Sequence, residues 1–140
     1  MIKQDDGDTS PIPPFRALGN RSHGPSKALE TFPTPQNITE VKFTSDELTS
    51  FCPVTEQPDF NKLVLIYHPN QRCVESKSLK LYLWSFREER LFGETLAHTI
   101  VEDLFQALQP RYCRVELQQG VRGGMQLTAI AEKSETTEER

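Results

Sequence analysis

Between Leu96 and Leu108 the sequence carries one unbroken helical period. Leu96, Ile100, Val101, Leu104, Phe105 and Leu108 fall on one face, while Glu102, Asp103 and Gln106 take the other. A helix with that much apolar surface on one side must lay it against another layer. Pro110, which lacks a backbone N–H, ends it. Just upstream, Leu79, Tyr82, Leu83 and Phe86 fall at i, i+3, i+4 and i+7 and predict an amphipathic helix over about residues 76 to 88. The two helices follow one another, so the layer they cover has to come from segments on either side.

Those segments read as strands. Ile38, Val41 and Phe43 alternate with polar residues, and Leu63 to Tyr67 is a β-branched and aromatic run closed by His68-Pro69-Asn70. Val115 and Leu117 alternate likewise, Gly123-Gly124 supplies a bend, and Leu127, Ala129 and Ile130 predict a last strand. The order strand, strand, helix, helix, strand, strand predicts an α+β domain: an antiparallel ββααββ sheet with both helices on one face. Pro11, Pro13, Pro14, Pro25, Pro33 and Pro35 interrupt any period before it. Residues 1–36 are therefore expected to be a proline-rich mobile arm, 37–133 the folded domain and 134–140 a charged tail, with fraying from Lys133.

The formal net charge of -4, with no dense Lys/Arg run, argues against direct binding of a phosphate backbone. Asp5, Asp6 and Asp8 stand where a secretory signal needs basic residues, and no apolar run is long enough to span a bilayer. A cytoplasmic protein with no membrane or nucleic-acid partner is expected. Cys52, Cys73 and Cys113 are an odd number at wide spacings and read as free thiols. His23, His68 and His98 are scattered, and a zinc set of Cys52, Cys73 and His68 has no compact ligand pair, so no metal is expected.

Cys52 has the strongest local context. Phe51-Cys52-Pro53-Val54-Thr55-Glu56-Gln57-Pro58-Asp59 reads as a loop between the first two strands, stiffened by proline, with a thiol and a carboxylate seven residues apart. A thiolate is a nucleophile, and a carboxylic acid kept partly protonated by burial delivers a proton to a nitrogen gaining charge. Composition and spacing leave a second reading open, in which Cys52 is a small buried residue and Asp59 caps a turn.

The same loop carries a resemblance. Residues 51–60 resemble the Cys-Pro-x-Thr-Gly-Gln-Pro-Asp segment of the 7-cyano-7-deazaguanine reductases, and Glu75-Ser76-Lys77-Ser78-Leu79-Lys80-Leu81-Tyr82 resembles that family's second signature. The resemblance implies the tunnelling fold, with small subunits joined edge to edge into a barrel-like homo-oligomer whose active sites lie between subunits. It implies reduction of the nitrile of a deazapurine to the aminomethyl group in queuosine biosynthesis, through a thioimide on Cys52 with Asp59 as proton donor and NADPH as cofactor. Val74, Glu75, Ser76, Gly93 and Glu94 take the family's substrate positions, Glu94 facing the amidine edge of the base; Lys77, Lys80 and Arg122 take those at the cofactor phosphates. Gly93 stands where many members have histidine. Glu56 stands where the loop has glycine, so a positive φ there would be strained and its charge would raise the pKa of Cys52. The alternatives are an amidinotransferase acting on the same nitrile, a zinc cyclohydrolase, and a degenerate deazapurine- or pterin-binding protein without catalysis.

Overall fold

A computed structural model describes residues 24–136. Its central sheet contains β2 (Val41–Phe51), β3 (Pro58–His68), β5 (Tyr112–Gln119) and β6 (Thr128–Ser134), in the order β2-β3-β5-β6 and antiparallel throughout. Helices α1 (Ser76–Trp84) and α2 (Gly93–Leu108) fall between β3 and β5 in sequence. Both pack on one face, where Leu63, Leu65 and Tyr67 of β3 and Cys113, Val115 and Leu117 of β5 meet Leu79, Tyr82, Leu96, Ile100 and Leu104. The expected ββααββ order and one-sided helical layer are both present. The period that defined α2 is its packing face: Leu96, Ile100, Leu104 and Leu108 are fully buried. Gln109, with φ 50°, turns the chain into the left-handed region immediately before Pro110.

Four boundaries differ from expectation. The strand after Cys52 begins at Pro58 rather than near Leu63, because Asp59 and Asn61 are buried on the same face as Leu63 and Leu65 and extend the alternation at its polar end. Helix α1 stops at Trp84, short of 88, and turns follow it; Phe86 still reaches the core, edge-on to Tyr82 with ring centroids 5.1 Å apart. The segment read as an arm contains β1 (Thr31–Pro33), which pairs with β4 (Arg72–Val74) in a separate two-stranded sheet. At the other end Lys133 is not frayed: it lies in β6 opposite Cys113, and its ammonium pairs with Glu102 at 3.0 Å. Residues 1–23, including the acidic cluster and His23, and residues 137–140 lie outside the described residues. No helix among the described residues is long and apolar enough to cross a membrane.

The helices are tied to each other as well as to the sheet, since the Tyr82 hydroxyl donates to Asp103 Oδ2 at 2.6 Å. Burial raises the pKa of that phenol, so it stays a donor. Leu104→Ala would leave a cavity where helix and sheet meet. It is expected to cost about 2–5 kcal/mol and to lower the urea midpoint without changing the slope of the transition.

Candidate active site

The two longest strands meet at a hairpin whose closing residues are Cys52 and Gln57. The Cys52 N–H donates to the Gln57 carbonyl at 2.9 Å, and the Glu56 N–H donates to the Cys52 carbonyl at 2.9 Å. Below this turn Phe51 faces Pro58 and Ser50 faces Asp59. Cys52 and Asp59 are thus diagonal neighbours on one hairpin, and Asp59 belongs to β3 rather than to a loop. A third segment fixes the tip: the Phe51 N–H donates to Glu89 O at 2.8 Å and the Leu91 N–H to Phe51 O at 3.1 Å.

Glu56 has φ 61°, the left-handed backbone expected of the glycine it replaces. Its carboxylate turns away to Arg90 at 3.2 Å, an exposed pair of the kind that contributes at most about 1 kcal/mol. The expected upward push from Glu56 does not prevail, and the net shift at the Cys52 thiol is downward. The thiol is half-buried, and its pKa is held below the ordinary value, chiefly by the Thr55 backbone N–H and hydroxyl and the Val54 backbone. Partial burial and the Asp59 carboxylate oppose this without reversing it. Burial pushes Cys113 the other way, up to about 12, and Cys73 is buried against Thr34.

Asp59 is 5% exposed and is ion-paired with Arg122, whose Nη2 also donates to the Pro58 carbonyl at 2.8 Å. Arg122, expected at cofactor phosphates, is therefore engaged by the candidate proton donor. A two-residue turn aims it: Arg122 and Met125 exchange backbone hydrogen bonds around Gly123 and Gly124, with φ 56° and 78°, a geometry side chains resist at both positions.

Asn61 and Gln119 face each other across β3 and β5, two residues inward from Asp59. Asn61 Nδ2 donates to the Leu48 carbonyl at 3.2 Å, while Asn61 Oδ1 and the nearby Ser50 Oγ are buried with no hydrogen-bond partner among the described residues. These three residues were not singled out from the sequence. The available signal was two polar residues, Asp59 and Asn61, continuing the inward alternation of Leu63, Leu65 and Tyr67. Gln119 abuts Gly93, where α2 begins. Glu94 follows in the first turn, exposed and with no hydrogen bond or ion pair among the described residues; Phe92 before it is also exposed.

The second signature stands elsewhere in the chain. Glu75 caps α1, its carboxylate accepting from the Lys77 and Ser78 N–H groups at 2.9 Å each, and it is itself buried. The Glu75 N–H donates to Glu30 O, and the Val74 N–H to the Tyr67 hydroxyl. Ser76 and Lys80 line a cavity of about 510 Å³ between α1 and β2, with Trp84 and Arg87 on the same wall. Its β3 member, Leu63, is five residues, roughly 17 Å of strand, from Pro58. One chain does not bring Val74, Glu75, Ser76, Lys77 and Lys80 to Cys52. His68 is at the opposite end of β3 from the thiol, paired with Glu40, and does not form a ligand set with Cys52 and Cys73.

Two measurements check this geometry. Glu56→Gly relieves the left-handed backbone at the loss of a weak pair and is expected to raise stability by about 1 kcal/mol, read as an increased urea midpoint. Alkylation by iodoacetamide, followed residue by residue by mass spectrometry, is expected to rise with pH at Cys52 around a midpoint below that of an ordinary thiol. Thr55→Val should move that midpoint upward, and Cys113 should stay unreacted until the protein unfolds.

The family model described as QueF-like protein matches residues 58–138. A relative from Nitrosospira multiformis, named NADPH-dependent 7-cyano-7-deazaguanine reductase, is 50% identical over 110 residues, covering 77% of this chain and 79% of its own. One of the same name from Syntrophus aciditrophicus is 47% identical over 117 residues, covering 82% and 84%. A crystal structure of an archaeosine synthase QueF-Like in the apo form aligns with TM-score 0.66 at 21% identity, over 71% of this chain and 97% of that one, and shows the expected tunnelling-type α+β fold. On a family model that spans more than half its length and relatives identical at about half of the aligned positions, the chain belongs to the QueF-like family of 7-cyano-7-deazaguanine reductases.

Proposed function

We propose that the chain is an NADPH-dependent nitrile reductase that converts 7-cyano-7-deazaguanine into its aminomethyl form, a step toward queuosine in transfer RNA, in the cytoplasm. The observation that carries this reading is the hairpin end: a half-buried thiol with a lowered pKa and a buried carboxylate on paired strands. The names of the relatives supply the substrate and the cofactor.

Cys52, as thiolate, adds to the nitrile carbon. A C–S bond forms as one π bond opens; Asp59, a carboxylate in its pair with Arg122, takes the thiol proton and passes it to the nitrogen, leaving a thioimide. Bound NADPH supplies hydride, two molecules per nitrile, the four-electron difference between a nitrile and a primary amine. After the first reduction the C–S bond breaks, the electron pair returns to Cys52, and the freed imine is reduced in turn. The Thr55 and Val54 donors favour the thiolate both as nucleophile and as leaving group. Glu94, exposed and unpaired, takes the amidine edge of the base. Gly93 beside it, and the backbone of Val74, Glu75 and Ser76, complete the substrate contacts, since the Glu75 carboxylate is committed to its helix.

The α1 cavity suits the cofactor phosphates: its wall carries the Ser76 hydroxyl with the Lys80 and Arg87 cations, and Lys77 lies one turn from Lys80. Arg122 joins them only by leaving Asp59. Because the thiol and the α1 cavity stand apart in one chain, the complete site forms between copies of the chain in a homo-oligomer. The strands β2 and β6, at the two edges of the sheet, are the joining surfaces.

Incubating the protein with 7-cyano-7-deazaguanine and NADPH, and following the nicotinamide band, should show two NADPH oxidised per nitrile. Cys52→Ala should abolish turnover, and Asp59→Asn should lower kcat by about 10²- to 10⁴-fold. A stable thioimide without NADPH oxidation would instead identify a binder that has lost reduction.

A further inference from the structure

Glu94 accounts for the amidine edge of a deazaguanine, which leaves three polar groups on the ring, the lactam carbonyl, the pyrrole N–H and the pyrimidine N3; the first two lie on either side of the carbon that bears the nitrile. The chain offers two neutral amides beside the reactive pair. Asn61 is 3% exposed and uses its Nδ2 on Leu48, so its Oδ1 is the free end, a buried acceptor with no partner among the described residues. Gln119 stands opposite it in the β3–β5 register, with its amide beside Gly93, one residue from Glu94. A buried acceptor left unpaired is destabilising, so a site that holds one gains when a ligand N–H reaches it.

Gly93 fixes where Gln119 can be. A Cβ built on Gly93 would lie 2.8 Å from Leu127 Cδ2 and 3.0 Å from Gln119 Nε2, so a side chain at position 93 would push Leu127 aside and crowd the amide. The amide therefore occupies room that a histidine in this place would take.

We propose that Gln119 and Asn61 form a neutral amide rail that positions the deazapurine for attack by Cys52, Gln119 donating to the lactam carbonyl and Asn61 Oδ1 accepting from the pyrrole N–H. Gly93 is the clearance that allows it. The inference rests on the reductase reading for the identity of the ligand. Amides suit the task because each end of the ligand needs a different hydrogen-bond sense, which neutral donors and acceptors supply without a competing charge beside Asp59.

Calorimetric titration of 7-cyano-7-deazaguanine into the full-length Cys52→Ala protein measures recognition without covalent chemistry. Gln119→Ala in that background should weaken binding about tenfold, the equivalent of one hydrogen bond. In the otherwise unaltered enzyme the same substitution should raise KM for the nitrile by a similar factor, with kcat and KM for NADPH little changed. Gly93→Ala should weaken binding more when Gln119 is present than when residue 119 is alanine, the difference being the part that acts through that amide. Binding unchanged in Gln119→Ala, or a Gly93→Ala effect equal in both backgrounds, overturns the rail. Tight, Gln119-dependent binding by a protein that oxidises no NADPH would overturn the reductase reading and leave the rail standing.

Discussion

The register of the β2–β3 hairpin governs the rest of the site, because side chains along a strand alternate between faces and a slip of one residue would move Asp59 and Asn61 from the helix-covered face to the other. The slip is prevented by Leu63, Leu65 and Tyr67, which occupy the same face further along β3 and are fully buried under the helices. The apolar half of the strand thus holds the polar half in place. Neighbouring segments then become consequences of that register: Arg122 reaches Asp59 from the β5–β6 connection, and Gln119 meets Asn61 because β5 pairs with β3.

Much of this was legible in the sequence, and the parts that were not have physical reasons. The α2 period is a long, one-sided pattern and appears as read, and the Leu63 to Tyr67 run is a strand as read, although that strand begins five residues earlier. The pairing of β1 with β4 was not legible, since three residues on each side contain too little alternation to register and the pairing crosses a long stretch of chain. Helix α1 looked longer because Phe86 keeps the helical spacing while reaching the core from a turn. Within the site, Cys52 and Asp59 could be named from one segment. The grip of Arg122 on Asp59, the Glu75 cap and the clearance between Gly93 and Gln119 depend on residues far apart in sequence, and no local pattern encodes them. Glu56 is the converse case: its positive φ follows from the loop, but the direction in which its carboxylate points does not.

The thiol and the α1 cavity illustrate a division within the fold. The hairpin end is rigid, polar and closed by backbone hydrogen bonds, which suits covalent chemistry that tolerates little misplacement. The α1 cavity is wider and mixed in character, with Lys80, Arg87 and Glu47 around a wall of Phe43, Leu79, Leu83 and Trp84. One sheet supports both by presenting its end to the first and its β2 margin to the second.

The Gly123-Gly124 turn carries no functional group, yet it aims the guanidinium that meets Asp59. Two consecutive residues there adopt a backbone handedness that L-amino acids avoid, so a β-carbon at either one penalises the turn itself. Sensitivity to sequence change is thereby displaced from the charged pair onto two positions with no chemistry of their own, and the acid's electrostatic setting is inherited through chirality rather than through charge.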